Sequence, residues 1–415
     1  MYNNLIIILT YSIFGIILYL TILYGLGIKN IKRTLLYILP LVIIFDIPIN
    51  YLNGSDKGFI TLRLWNIYTI MIVILYFNNT INLIKRWHKA LLIIYMFGLF
   101  QLFINSFDST VLRADLKFIF SYFPLVLSIK IYFDEFNIEK IYRVLNLSGI
   151  INVILVTIQI IANRVGINLF IINLFNKPSG TFSEPIWLGV YMLFLILILD
   201  KKFKRYKIIY FIFLILSGSK AAIITLIIIY ILTSKKYLYK ILILFIGSYG
   251  IFIALQKNIY SISNIIDSFY IHISNWGIPL GVFLRCNILK VLFGVGPGNI
   301  NSMALNADIN QITYDLNIKT SIGITLNKLG GDVANLFVEI LTSFGLIVFI
   351  IFIYFLIKFY INSANNIKVK RLIIGYLIVG FIHPLYYMGF GIFIFITILE
   401  LFNRGIGDES RICST

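Results

Sequence analysis

Apolar runs, most of them long enough to cross a bilayer, recur along this 415-residue chain. They fall at about 5–26, 34–50, 62–77, 90–107, 117–133, 144–163, 184–199, 208–217, 220–233, 238–255, 335–357, 372–388 and 390–402. About 20 apolar residues span the ~30 Å hydrocarbon core as a helix, and lipid tolerates only backbones that satisfy their own hydrogen bonds. The pattern predicts an all-α polytopic integral membrane protein of about 12–13 transmembrane helices, a single transmembrane domain over 1–415. Composition agrees: 13% of the residues are charged, against roughly 25% in a soluble domain.

Basic residues sit between the runs. The clusters Lys29/Lys32/Arg33, Lys85/Arg86/Lys89, Lys140/Arg143, Lys201 to Lys207, Lys235/Lys236/Lys240 and Lys358 to Arg371 fall on one side, which the positive-inside rule makes cytoplasmic. The amino terminus is then outside and the carboxyl terminus, with Arg404 and Arg411, inside. The net charge of +18 belongs to these loops and suits an anionic inner leaflet. A nucleic-acid partner is not expected, because the cations form no single face interleaved with aromatics. Cys286 and Cys413 fall on opposite sides of the membrane, which argues against a disulfide between them. Met1 to Asn4 lacks the basic start of a cleavable signal peptide.

Two places break the pattern. Only the 27 residues 208–234 separate two basic clusters that both favour the cytoplasm, and Ser217-Gly218-Ser219-Lys220 interrupts them. A hairpin of two short helices, each about 15–22 Å long at ~1.5 Å per residue, fits better than one crossing helix. Its turn would sit in a protein-lined or wet cavity. The stretch 372–402 poses the same question around Gly389–Gly391. The other break is the segment 256–333, 78 residues long and external on this topology. It is amphipathic at 262–273 and 280–293 and polar thereafter, a large, partly helical loop of the kind that serves as a lid or binding element.

Four polar groupings stand out on the outer side. Lys220, beside the small hydroxyls of Ser217 and Ser219 and at the start of a helix, suits a phosphate; snorkelling to the interface explains it equally. Arg285 precedes Gly294-Val295-Gly296-Pro297-Gly298-Asn299, either a turn whose N–H groups face an anion or a plain turn between interfacial helices. No Gly-Lys-Ser/Thr follows, so it is not a Walker loop. In Gly180-Thr181-Phe182-Ser183-Glu184-Pro185, Pro185 opens a helix with Ser183 as its cap, while Glu184 either favours the helix dipole or faces an outer cavity. Asp332, Asn335 and Glu339 open a late span. Asn335 and Glu339 share a helix face, and the glutamate is a functional candidate unless it makes a structural pair with an arginine. Elsewhere, Asp46 and Arg63 read as a pair, His383-Pro384 as a helix kink, and His88 as part of a basic loop. Three scattered histidines make no metal site.

Taken in order, these pieces resemble the O-antigen and capsule polymerase family (Wzy-type), whose superfamily also holds the O-antigen ligases. The resemblance runs from about Gly180 to Leu356. Gly180-Thr181-Phe182 is similar to that family's Gly-Thr-Phe before a membrane helix. Ser217-Gly218-Ser219-Lys220-Ala221-Ala222 resembles its Ser-x-Ser-Arg-x-Ala element, with lysine in place of arginine, which gives up the bidentate fork. Arg285 followed by Phe293 to Asn299 resembles its arginine upstream of Phe-Gly-Val-Gly-Pro-Gly-Asn. One departure matters: ligase-like members carry His-Asn, nine residues and a glycine, whereas here Ala334-Asn335 precedes Gly345 at that spacing. The missing histidine argues against a ligase.

The resemblance implies a glycosyltransferase of the bacterial cytoplasmic membrane, active on its extracytoplasmic face and needing neither metal, nucleotide nor other cofactor. It would join undecaprenyl-diphosphate-linked repeat units into O-antigen or capsular polysaccharide, among membrane lipids and alongside a chain-length regulator and a flippase. A sugar hydroxyl would attack the anomeric carbon of the lipid-linked donor and expel the lipid diphosphate. Arg285 and Lys220 would supply cations to that leaving group. Glu339, Asp332 or Glu184 would take the proton. Ser217, Ser219, Gly296, Gly298, Asn299 and Asn335 would line the substrates. The rivals are an O-antigen ligase and a lipid-linked oligosaccharide flippase.

Overall fold

A computed structural model describes residues 31–44, 64–105, 109–165, 178–182, 184–233, 276–296, 300, 303, 335–363, 366–383, 385 and 389–404. The regular elements among these described residues are helices, with no strand. In chain order they are α1 (Ile31–Tyr37), α2 (Leu39–Ile43), α3 (Leu64–Leu75), α4 (Phe77–Ile104), α5 (Ser109–Glu135), α6 (Ile138–Arg164) and α7 (Pro185–Ile198). Then follow α8 (Lys204–Leu216), α9 (Lys220–Thr233), α10 (Ile288–Phe293), α11 (Leu336–Asn362), α12 (Ile367–Ile382) and α13 (Gly389–Asn403). A further helical stretch covers 276–284. Expected spans at 5–26 and 238–255, most of the 256–333 loop, and Asp46, Arg63, Ser183, Gly298, Asn299, Asp332 and Cys413 lie outside the described residues.

Helices α4, α6 and α11 are long and apolar enough to cross a membrane. The 28 residues of α4 and 27 of α6 give about 40 Å at ~1.5 Å each, more than the ~30 Å that hydrocarbon requires. Helices α7, α9 and α13 are apolar too, but shorter. On α4, Leu92 to Met96 are five consecutive large apolar side chains, each 58–69% exposed. Water disfavours such a surface, and it is compatible with a protein embedded in lipid.

Two sequence expectations change. The basic segment around Lys85, Arg86, His88 and Lys89 is not a loop but part of the continuous α4. Between Phe77 and Ile104 there is no proline and only one glycine, and lysine and arginine are good helix formers, so nothing stops the helix. Nor is His383-Pro384 a kink. Helix α12 ends at Ile382, with His383 as an extended C-cap, because the residue before proline is pushed out of the helical region.

The described residues fall into two compact units. One draws on Met1–Trp87, Ile119–Ile224 and Tyr387–Thr415, the other on His88–Phe118 and Thr225–Tyr386. In the first unit α7 is the central helix. Every residue from Trp187 to Ile198 is buried, as an all-round apolar helix must be, and α6 and α8 pack against it. One end of this unit gathers charge. Glu139 accepts from Lys202 at 2.7 Å and Arg143 at 3.3 Å, and Glu400 pairs with Lys130 at 2.6 Å. Arg404 donates to the carbonyls of Phe133 and Phe136, where α5 ends and a cation meets the negative end of the helix dipole. Members of the 140/143 and 201–207 clusters thus share one carboxylate.

In the second unit α10 and α12 pack against α11. A small core of Ile278, Val282, Phe283, Val295, Ile300 and Val338 joins the 276–284 stretch, the glycine turn and the first turn of α11.

Candidate functional site

The Gly-Thr-Phe segment is an anchor. Gln159 on α6 accepts from the N–H groups of Ser179 (3.0 Å) and Gly180 (2.9 Å) and donates to the Gly180 carbonyl (3.2 Å). One helical turn pair earlier, Asn152 Oδ1 accepts from Thr181 N and Thr181 Oγ1, each at 3.0 Å. Non-helical backbone in an apolar protein needs such partners, and these two amides supply them. Gly180 has φ +63, and a Cβ there would lie 2.4 Å from Asn152 Oδ1, so only glycine fits. Phe182 packs on Tyr191 and Phe390. The anchor delivers the chain to α7 with Pro185 in its first turn. The cap position is Glu184, not Ser183 as the sequence suggested. The Glu184 side chain makes no cap hydrogen bond and is exposed.

The Ser-Gly-Ser-Lys segment breaks the helix where expected, between α8 and α9. Gly218 has φ +65. Ser217 Oγ donates to Leu214 O at 2.7 Å, while Ser219 Oγ accepts from Ala222 N at 3.4 Å. Both serines are buried; they end one helix and cap the next. The turn lies against Gly189 of α7, where a Cβ would sit 2.3 Å from Ser219 Cβ and 2.6 Å from Ser217 Oγ. The close contact seats this turn within about a helical turn of the α7 start that carries Glu184. Lys220 is exposed, with no ion pair among the described residues.

In the second unit the glycine turn closes a break in α11. Gly345 interrupts that helix with φ 80 and ψ 175, which strips the preceding carbonyls of intrahelical donors. Val295 N donates to Thr342 O at 2.9 Å and Gly296 N to Ser343 O at 3.1 Å, while Gly294 N turns back to Lys290 O at 2.7 Å. The N–H groups of 294–296 therefore serve the backbone and do not face an anion. Gly294 and Gly345 are in backbone contact: a Cβ on the first would stand 2.3 Å from Ser343 O, and on the second 2.3 Å from Leu292 O. Gln101 of α4 donates to Ser343 O at 2.7 Å and Phe293 O at 2.6 Å.

Around this junction sit the remaining sequence candidates. Asn335 is the buried cap of α11, accepting from Phe337 N (2.9 Å) and Val338 N (3.1 Å) and donating to Phe381 O (2.8 Å). Glu339, one turn on, is fully buried and accepts from Ser343 Oγ at 2.9 Å. Arg285 ends the 276–284 stretch and is exposed. Arg285, Gly296 and Glu339 thus flank one small core, through their neighbours Phe283, Val295 and Val338. Sequence reasoning passed over Gln101, Asn152 and Gln159. Their signal was present, since each is an amide inside an otherwise apolar run, where burial demands a partner.

No protein-family model and no curated protein matches the chain.

Proposed function

We propose that this chain is a membrane glycosyltransferase that polymerises undecaprenyl-diphosphate-linked oligosaccharide repeat units into O-antigen or capsular polysaccharide. On this reading it crosses the bacterial cytoplasmic membrane about 12–13 times, acts on the extracytoplasmic face, and uses the 256–333 segment as an external loop over the substrates. The observation that carries it is the ordered set of motifs together with the exposure of their charged members. Glu184, Lys220 and Arg285 are open to the surroundings, each beside a buried scaffold built from the uncharged members of its own motif.

The chemistry follows from the groups. An acceptor sugar hydroxyl attacks the anomeric carbon of the donor, the new C–O bond forms as the bond to the lipid diphosphate breaks, and the configuration inverts. Arg285 and Lys220 are cations suited to the diphosphates of the lipid-linked substrates. Of Glu184 and Glu339, the two base candidates among the described residues, Glu184 is the exposed one and takes the hydroxyl proton late in the transfer. Buried Glu339 suits a positioning role, through Ser343, at the α11 break.

The test is glycan size in a strain lacking the chain. One repeat unit on its acceptor supports polymerisation. Long polymer stranded on undecaprenyl diphosphate would instead mean a ligase, and repeat units trapped inside would mean a flippase. Restoring the strain with Arg285→Ala should give membrane-inserted protein and no polymer; full-length polymer would remove Arg285 from the mechanism.

A further inference from the structure

We infer that Gln101 is a positioning residue for the transfer proposed above: its side-chain amide fastens the glycine turn to the broken helix α11 and so fixes the ground on which Arg285 and Glu339 stand. The inference rests on that functional reading only for the activity it would alter; the fastening itself stands on geometry.

A primary amide nitrogen carries two hydrogens and no more. In Gln101 both are committed, one to Phe293 O at 2.6 Å and one to Ser343 O at 2.7 Å. Each acceptor belongs to a helix end. Phe293 is the last residue of α10, and Ser343 lies two residues before the Gly345 break. Carbonyls at such ends lack intrahelical donors, and in an apolar protein an outside donor has to be found. Ser343 O accepts from Gly296 N as well, so one carbonyl joins α4, the turn and α11. Gln101 is itself 2% exposed and its backbone carbonyl is gripped by Asn105 Nδ2 at 2.9 Å, which leaves little competition from solvent. Ser343 hydroxyl holds Glu339, and Phe283, two residues before Arg285, packs in the core with Val295 and Val338. Releasing the clamp therefore loosens the supports of both charged residues without touching either.

The test uses the purified full chain with Gln101→Leu, which keeps bulk and removes both donors. Amide hydrogen exchange at Val295 and Gly296 should quicken roughly tenfold or more, while Met192 to Ile196 in α7 stays as slow as in the unaltered chain. With lipid-linked repeat units as substrate, kcat should fall roughly tenfold and KM stay within about twofold, because orientation is lost and binding groups remain. Gln101→Asn keeps both donors on a shorter arm and stands in if the leucine variant does not accumulate; it should show the same pattern at lower amplitude. Unchanged exchange at Val295 and Gly296 would overturn the fastening, and faster exchange with unchanged kcat would overturn the positioning role. If the unaltered chain polymerises nothing, the functional reading fails alone, and exchange still decides whether Gln101 is the clamp.

Discussion

Gly345→Ala perturbs the α11 break at one carbon atom. The backbone there has φ 80 and ψ 175, a region essentially reserved for glycine, where another residue costs about 1–3 kcal/mol. The added Cβ would stand 2.3 Å from Leu292 O and 2.5 Å from Gly294 N. These are backbone atoms and cannot rotate aside, so the glycine turn must back away from α11. That movement stretches the Val295–Thr342 and Gly296–Ser343 bonds, each worth about 0.5–1.5 kcal/mol net. Strain and two lost bonds together come to roughly 2–6 kcal/mol, a large part of the ~5–15 kcal/mol that holds a folded protein. Gly98→Ala is the matched control. A Cβ at Gly98 meets nothing within 4 Å, and alanine is favoured over glycine inside a helix by about 0.8–1 kcal/mol. The assay is the fraction of detergent-extracted chain that stays monodisperse after heating across a temperature series. Gly345→Ala should lose that fraction at markedly lower temperature, and Gly98→Ala should match or exceed the unaltered chain. Coincident curves for Gly345→Ala and the unaltered chain would refute the account of the junction.

Three further outcomes follow from the first unit. Gln159→Leu strands the buried N–H groups of Ser179 and Gly180, at about 1–3 kcal/mol each, and should sharply lower the amount of chain recovered from membranes, read by immunoblot. Gly189→Ala overpacks the Ser217–Ser219 turn, costing about 1–3 kcal/mol; the expected result is a drop in heat resistance that Gly98→Ala does not share. Lys220→Arg should keep polymer and Lys220→Ala should lose it at equal protein level. Equal polymer from both would return Lys220 to a lysine snorkelling to the interface.

How much was legible in the sequence depended on whether the cause was local. Helix positions of α3 and of α5 to α9 follow apolar runs, and the break between α8 and α9 sits at Ser217-Gly218-Ser219 because small hydroxyls and glycine end helices by local bonding. The anchor of Gly180-Thr181-Phe182 was not legible, because its partners Gln159 and Asn152 lie 21 and 29 residues away. Still less was Gln101, whose second acceptor is 242 residues distant. A glycine pattern such as 294–296 looks the same in sequence whether its N–H groups meet an anion or a helix carbonyl. The facing glycine, Gly345, decided that, and its spacing from Asn335 was visible while its contact with Gly294 was not. Residues 77–89 failed for the opposite reason: a cluster of cations reads as a loop, yet without proline the helix simply continues through it.

The motifs divide by burial in a way that separates two kinds of mutant. Thr181, Ser217, Ser219 and Asn335 are buried and hydrogen-bonded within the chain, whereas Glu184, Lys220 and Arg285 are exposed. A buried polar group left without its partner costs about 1–3 kcal/mol, so changes in the first set should act mainly through the amount of folded protein. An exposed charge contributes about 0–1 kcal/mol to stability, so changes in the second set should leave the amount intact and act on turnover. Activity per molecule, and not activity per cell, is therefore the quantity that separates, on the proposed function, residues acting in turnover from those that only hold the fold. Alanine variants of Thr181 and Asn335 should approach the unaltered value once normalised to folded protein, and those of Lys220 and Arg285 should not. A normalised loss at Thr181 equal to that at Arg285 would mean that the uncharged half of the motifs touches substrate after all.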